Sequence, residues 1–294
     1  MTLLSLEAAT FAVGERQLLG PLSLSFVAGG CTALLGANGS GKTTLLRIAA
    51  GLLTPTTGLR TGLASTGIGY CPQADPLWPD LTATEHLQIV GGLQGLTSSS
   101  AAARATALLT RLDLTPHAAK QAATLSGGMR RRLSVATALV HRPRLLLLDE
   151  PFAGLDTAQT ARLEALLREE ASAGTAVVVA THDLDQAARI ADRLLLLDEG
   201  RLLHDGTLEA LRTHRPSHRL LLTLRDESRA QVTAQLRALA LPTRETDEGL
   251  AVSGTSLAQL QSVAAALTAS APSDLLGFEI RTATLDDLLD ELRP

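Results

Sequence analysis

Lysine is almost missing from this 294-residue chain: Lys42 and Lys120 are the only two, and arginine supplies the rest of the 26 basic side chains. Lys42 therefore stands out before any motif is considered. The formal net charge is −4, so no global basic field draws the protein to nucleic acid or to anionic lipid, and contact with either would have to be local. Only two cysteines occur, Cys31 and Cys71, both in apolar strand-like runs and without C-x-x-C spacing. They read as reduced core thiols, which suits a cytosolic compartment. No apolar stretch approaches the ~18 residues needed to cross a bilayer; Leu194 to Leu197 and Val177 to Ala180 are strand-sized. The opening Met1-Thr-Leu-Leu-Ser-Leu-Glu7 lacks the basic stretch of a signal peptide. A soluble, intracellular chain is the expectation, and neither internal repeats nor sustained heptads point elsewhere.

What is present is an alternation of strands and helices. Leu3 to Leu6 and Leu22 to Phe26 alternate apolar and polar residues and are broken by Gly14 and Gly20-Pro21, which predicts a small antiparallel sheet. Cys31 to Leu35 reads as a strand and Thr44 to Ala50 as a helix. Helical spacing then predicts helices over Thr84–Leu96 and Ala101–Leu112, with Ser98 to Ser100 as the turn and cap between them, and from Ser126 to about His141, ahead of Pro143. Leu145 to Leu148 is a continuous apolar run, as a buried parallel strand requires. A helix over 158–171, a strand over 176–180 and a helix over 184–191 follow. This pattern implies an α/β core with a mainly parallel sheet. After residue 212 the character changes: His214 to Ser217 reads as a linker, and strands at 218–224, 250–253 and 276–282 with helices at 228–240, 257–269 and 284–292 predict a small α+β accessory domain over 213–294.

Three segments carry chemistry. Gly36-Ala37-Asn38-Gly39-Ser40-Gly41-Lys42-Thr43 follows a predicted strand and opens a predicted helix at Thr44. That is the G-x-x-x-x-G-K-[ST] phosphate loop, whose glycines turn backbone N–H groups inward and whose helix N-terminus adds partial positive charge. Lys42 is placed to reach the β- and γ-phosphates. Leu145 to Leu148 ends in Asp149-Glu150; Asp149 can hold Mg²⁺ together with the Thr43 hydroxyl, and Glu150 is placed to activate a water as general base. The third segment, Leu125-Ser126-Gly127-Gly128-Met129, lies between them, and a phosphate-loop kinase leaves it without a job.

In that order these segments resemble the nucleotide-binding subunit of ATP-binding cassette transporters, from about residue 3 to about residue 211. The resemblance implies a phosphate-loop NTPase core with a mainly parallel sheet, a small antiparallel β subdomain, a helical subdomain at about 80–140, and a nucleotide-binding domain over residues 1–212. It also implies that Ser126, Gly127 and Gly128 touch the γ-phosphate of ATP held by an opposite subunit. Gln73, in Tyr70-Cys-Pro-Gln73, is implied at Mg²⁺ and the attacking water, Asp156 at the dimer contact, and His182, in Thr181-His182-Asp183, at the γ-phosphate. Where the family usually stacks a tyrosine on adenine, this chain has Phe11 or, in a shifted register, Val13. Arg130-Arg131-Arg132 reads as solvated helix arginines and phosphate-proximal charge. Trp78, the single tryptophan, is either an anchor for a membrane partner or helical-subdomain core. The implied protein is an ATPase subunit of an exporter, cytoplasmic and peripheral on the inner face of the cell membrane. It uses ATP and Mg²⁺, pairs as a homodimer or heterodimer, and serves a separate transmembrane permease without a nucleic-acid partner. The tail, Thr282 to Leu292, is similar to that of stand-alone multidrug, antibiotic and lipid exporter subunits. The competing readings are a soluble ABC ATPase acting on ribosomes or DNA and the ATPase subunit of an importer.

Overall fold

In the computed structural model the alternating run at the start becomes a hairpin of β1 (Thr2–Val13) and β2 (Arg16–Val27), closed where Val13 pairs with Arg16. The structure describes residues 1–213, 218–238, 241, 243–246, 249–254, 256–270, 275–282, 284, 285 and 287. Contacts divide the chain into two units, Met1–Thr207 and Leu208–Pro294, so the break precedes the boundary expected at residue 212.

The first unit continues with β3 (Cys31–Leu35), α1 (Lys42–Ala50), β4 (Thr57–Gly62), β5 (Ile68–Cys71), α2 (Ala83–Leu93), α3 (Ser98–Arg111) and α4 (Gly127–Leu139). It ends with β6 (Leu145–Asp149), α5 (Thr157–Ser172), β7 (Ala176–Thr181), α6 (Leu184–Ile190), β8 (Arg193–Asp198) and β9 (Arg201–Gly206). One sheet has the order β2-β1-β4; the larger runs β5-β6-β7-β3-β8-β9, parallel except for β9. β4 left no trace in the residue pattern, because an exposed edge strand reading Thr-Gly-Leu-Arg-Thr-Gly has no buried face to impose alternation.

Both faces of the parallel sheet are buried, which is why its strands are apolar throughout. Leu145 and Leu147 of β6 join the core shared with α1 and the antiparallel sheet, while Leu146 and Leu148 join the core shared with the helices. The starts of α2 to α6 are capped by side chains, whereas α1 opens on Gly41 with no side-chain cap. Thr82 and Glu85 form a reciprocal capping box on α2, Ser126 caps α4 and Asp156 caps α5. Ser98 to Ser100 are not the turn expected of them: Thr97 Oγ1 accepts the Ser100 N–H at 3.2 Å, so Thr97 is the cap and the serines form the first turn of α3. α2 stops at Leu93 rather than Leu96, where Gly95 takes a φ of 90°.

In the second unit, α7 (Leu208–Thr213) precedes β10 (His218–Leu224), α8 (Asp226–Ala238), β11 (Thr243–Thr246), β12 (Gly249–Gly254), α9 (Leu257–Ser270) and β13 (Leu275–Thr282). The order β11-β12-β10-β13, with every neighbouring pair antiparallel, is a split β-α-β arrangement. Leu220, Leu222, Leu236, Val252 and Leu260 form its core. The expected linker at 214–217 and most of the helix expected at 284–292 lie outside the described residues.

Leu148 is fully buried one residue before Asp149. Leu148→Ala is expected to cost about 2–5 kcal/mol, read as a lower urea midpoint with an unchanged slope.

Candidate functional site

The parallel strands end together. β3 lies beside β7 and β7 beside β6, with Leu35 opposite Thr181 and Asp149 opposite Ala180. The loop after β3, the acidic pair after β6 and the histidine after β7 therefore meet at one edge of the sheet, although Gly36 and His182 are far apart in sequence.

The loop itself permits only glycine at two places. A Cβ on Gly36 would stand 2.3 Å from the Leu197 carbonyl, and Gly41 has a φ of 104° with Leu19 Cδ2 2.7 Å from where its Cβ would be. Lys42 is buried and folded over the loop, with Nζ donating to the carbonyls of Gly36 at 2.7 Å and Ala37 at 3.0 Å. Burial lowers its pKa below the ordinary lysine value, against the opposing pull of the Glu150 and Asp149 carboxylates. Its third N–H is left for an incoming anion. Ser40 Oγ is buried without a partner, a further polar atom directed into the loop's interior.

Thr43 Oγ1 donates to Asp149 Oδ2 at 2.7 Å. The Glu150 backbone has a φ of 51°, a left-handed conformation that costs a non-glycine residue on the order of 1 kcal/mol and that gathers at active sites. This turn follows the strand-end Asp149, whose carboxylate meets Thr43, and lets Glu150 meet His182. His182 Nδ1 donates to Glu150 Oε1 at 2.9 Å, since an ionised carboxylate can only accept. A cavity of about 270 Å³ lies over the loop, walled by Asn38, Gly39, Gly41, Lys42, Thr43 and Thr44, by Gln73, Asp149 and Glu150, and by Arg16 and Leu18. The hydroxyl of Thr43, the carboxylate of Asp149 and the amide oxygen of Gln73 are hard oxygen donors, the set that suits a divalent cation completed by phosphate oxygens and water.

Other expected residues stand elsewhere. Ser126 Oγ accepts the Met129 N–H at 3.3 Å, and Gly128 lies against the carbonyl of Gly154 and the side chain of Gln159. Asp156 Oδ1 accepts the Gln159 N–H at 2.8 Å. The start of α4 and the loop before α5 thus form a second surface whose residues are not in the cavity wall. Phe11 is also apart from it: its ring packs onto the core beneath the antiparallel sheet, while Val13 is exposed. Arg16 and Leu18 occupy that side, a placement the sequence did not reveal because it depends on the β1–β2 hairpin lying over the loop.

The reading of Arg130 to Arg132 as solvated is corrected for two of the three, since Arg131 and Arg132 are buried. Arg132 Nη1 donates to the carbonyls of Leu112 at 2.6 Å and Asp113 at 3.3 Å, closing the end of α3. Arg131 reaches carbonyls on two other segments. A guanidinium offers five N–H donors, so buried carbonyls can hold it where solvent was expected.

A glycine-built phosphate loop, a strand-end carboxylate bonded to its threonine, and a second carboxylate bonded to a histidine define a phosphate-loop nucleoside triphosphatase. The comparisons carry this further. The family model described as ABC transporter matches residues 19–153. The Nod factor export ATP-binding protein I of Cupriavidus metallidurans is 39% identical over 203 residues, 66% of this chain and 67% of the relative. The daunorubicin resistance ATP-binding protein DrrA3 of Streptomyces coeruleorubidus is 34% identical over 259 residues, 85% of this chain and 82% of the relative. A bacterial ABC transporter cassette solved as a dimer superposes with a TM-score of 0.64 at 27% identity, covering 70% of this chain and 99% of that one. The chain belongs to the ABC transporter family and is one of its ATPases.

With Arg16 in the wall and Phe11 half-buried against the core, Arg16→Ala is expected to weaken ATP binding about threefold to tenfold by removing a cation that can lie over the base. Phe11→Leu, which keeps an apolar contact with the core, is expected to leave the affinity nearly unchanged. Titration with a fluorescent ATP analogue separates the two.

Proposed function

We propose that this chain is the ATP-hydrolysing subunit of an exporter, joined to a separate membrane permease and working as a homodimer or heterodimer of cassettes arranged head to tail. The observation that carries the pairing is the separation described above: Ser126 to Gly128 begin a helix with exposed N–H donors, yet take no part in the phosphate cavity of their own chain. A Cβ on Gly127 would meet nothing within 4 Å, so a nucleotide brought by a second cassette has room there. Asp156, which caps α5, belongs to the same surface. The dimeric cassette among the structural neighbours supports this reading, and the relatives named for Nod factor export and daunorubicin resistance support the exporter assignment.

The chemistry follows from the residues. The loop from Gly36 to Thr44 holds the phosphates of ATP through backbone N–H groups and Lys42. Thr43, Asp149 and Gln73 would hold Mg²⁺, which would supply positive charge to offset that of the phosphates. Glu150 takes a proton from the attacking water as its oxygen bonds to the γ-phosphorus and the bond to the β-phosphate oxygen breaks. His182 keeps the Glu150 carboxylate aimed at that water. Binding ATP then closes the pair and hydrolysis opens it, and this movement is passed to the permease.

Among the described residues, no helix is long and apolar enough to cross a membrane, so in this reading the transport path belongs to the partner and the subunit lies on the cytoplasmic face. The contact falls on the helical part. Trp78 is 47% exposed, its ring centroid 4.8 Å from that of His86, and Ile89 and Leu93, further along the same side of α2, are exposed too. Residues 1–207 form the nucleotide-binding domain and the remainder an accessory domain.

Glu150→Gln is expected to bind ATP normally, to lose at least about 100-fold in kcat and to accumulate as an ATP-bound dimer in size-exclusion chromatography; normal turnover would remove Glu150 from the base role. That protein, loaded with ATP, should co-purify with an integral membrane protein from its native cells, whereas recovery with ribosomes or DNA reverses the assignment. Trp78→Ala should reduce this co-purification while ATP affinity and melting temperature hold; loss of melting temperature in step with co-purification would make Trp78 a core residue instead.

A further inference from the structure

Arg131 is not itself part of the cavity wall, yet it is bonded through backbone carbonyls to the two segments that supply most of the wall's acidic and amide groups. Its side chain is buried, on the second turn of α4. Nη1 donates to the carbonyls of Pro72 at 2.6 Å and Gln73 at 3.3 Å and to Asp75 Oδ1 at 3.1 Å, and Nη2 donates to the carbonyl of Asp149. One planar cation therefore spans the loop leaving β5 and the end of β6. The first carries Gln73, and the second carries Asp149 and Glu150. A guanidinium fixes both the distance and the angle between such acceptors, which a single ammonium does not.

We propose that Arg131 is a positioning residue for ATP hydrolysis: by tying the Pro72 and Gln73 carbonyls to that of Asp149, it sets where the Gln73 amide stands relative to the Asp149 and Glu150 carboxylates. The proposal rests on the reading of Gln73 and Asp149 as the groups that hold the cation and the water. Because Arg131 belongs to the helix that opens with Ser126-Gly127-Gly128, it also gives α4 a direct hold on both segments. A displacement of α4 by a second cassette would reach the carboxylates through this side chain rather than through the nucleotide.

The test uses the full-length protein with Arg131→Lys, Arg131→Gln, Asp75→Asn and Gln73→Ala. Arg131→Lys and Arg131→Gln are expected to lower kcat about 10- to 100-fold while the KM for ATP stays within about threefold, and to raise the half-activating Mg²⁺ concentration about tenfold. Two readouts do not depend on turnover. Binding of a fluorescent ATP analogue in EDTA should hold within about twofold, and quenching of Trp78 by acrylamide should rise about twofold as the segment after Gln73 loosens. Asp75→Asn removes the only formal charge among the acceptors of Arg131 without emptying a buried site. It is expected to lower kcat about threefold and to add little in combination with Arg131→Lys, because the two groups act as one unit. It carries the test if the Arg131 variants fail to fold.

Wild-type kcat and wild-type Mg²⁺ dependence in folded Arg131→Lys or in Asp75→Asn would overturn the proposal. So would a fall of kcat in step with analogue affinity and melting temperature, the signature of a merely structural role. Normal turnover in Gln73→Ala overturns the reading beneath the proposal and the proposal with it. A crippled Gln73→Ala beside an active Arg131→Lys overturns the proposal alone.

Discussion

The register between β6, β7 and β3 is the constraint on which the site depends. A parallel strand alternates its side chains between two buried faces, so a slip of one residue would exchange Leu147 for Leu148 between the two cores and carry Asp149 away from Thr43. The requirement that both cores be filled thus fixes the position of a carboxylate that belongs to neither. The 2.7 Å bond from Thr43 to Asp149 is a consequence of packing throughout the strands below it. The left-handed Glu150 is tolerated for the same reason: the strand is held on both edges up to that residue, and Glu150 itself still donates its N–H to Ala180.

The parts of the fold that were legible in the sequence are those in which burial imposes a period. β3, β6, β7 and the helices that cover them announce themselves because core contact dictates which residues are apolar. β4 and β11 do not, since Thr-Gly-Leu-Arg-Thr-Gly and Thr-Arg-Glu-Thr at sheet edges obey hydrogen bonding alone. The site shows the same division. The loop and the acidic pair are legible because phosphate and cation chemistry demand particular residues at particular spacings. The placement of Phe11, by contrast, is set by the antiparallel sheet, and one apolar ring in a strand reads the same whether it meets a base or a core.

The arginines of α4 show why charge is a poor guide to exposure in this chain. Three consecutive arginines on a helix look like a solvated stripe, yet consecutive positions step about 100° around the axis, so only part of such a run can face water. Arg131 and Arg132 point inward and find carbonyls at the ends of other elements, where hydrogen-bonding capacity is left over. Their cost of desolvation is offset by the carbonyls that their Nη groups reach, although Arg131 Nε is buried without a partner. In this unit, buried guanidinium groups act as struts between loop ends, a task for which their shape matters as much as their charge.

The scarcity of lysine has a chemical consequence when set beside the burial of Lys42. Reagents and enzymes that recognise side-chain primary amines find two targets in this sequence, an exposed one at Lys120 and a buried one folded over the phosphate loop. Acylation of Lys120 would change a surface, whereas acylation of Lys42 would need the loop to open and would then hold it out of shape. Amine reactivity at Lys42 is therefore a measure of how often the empty loop breathes, reported by the very atom that the nucleotide secures.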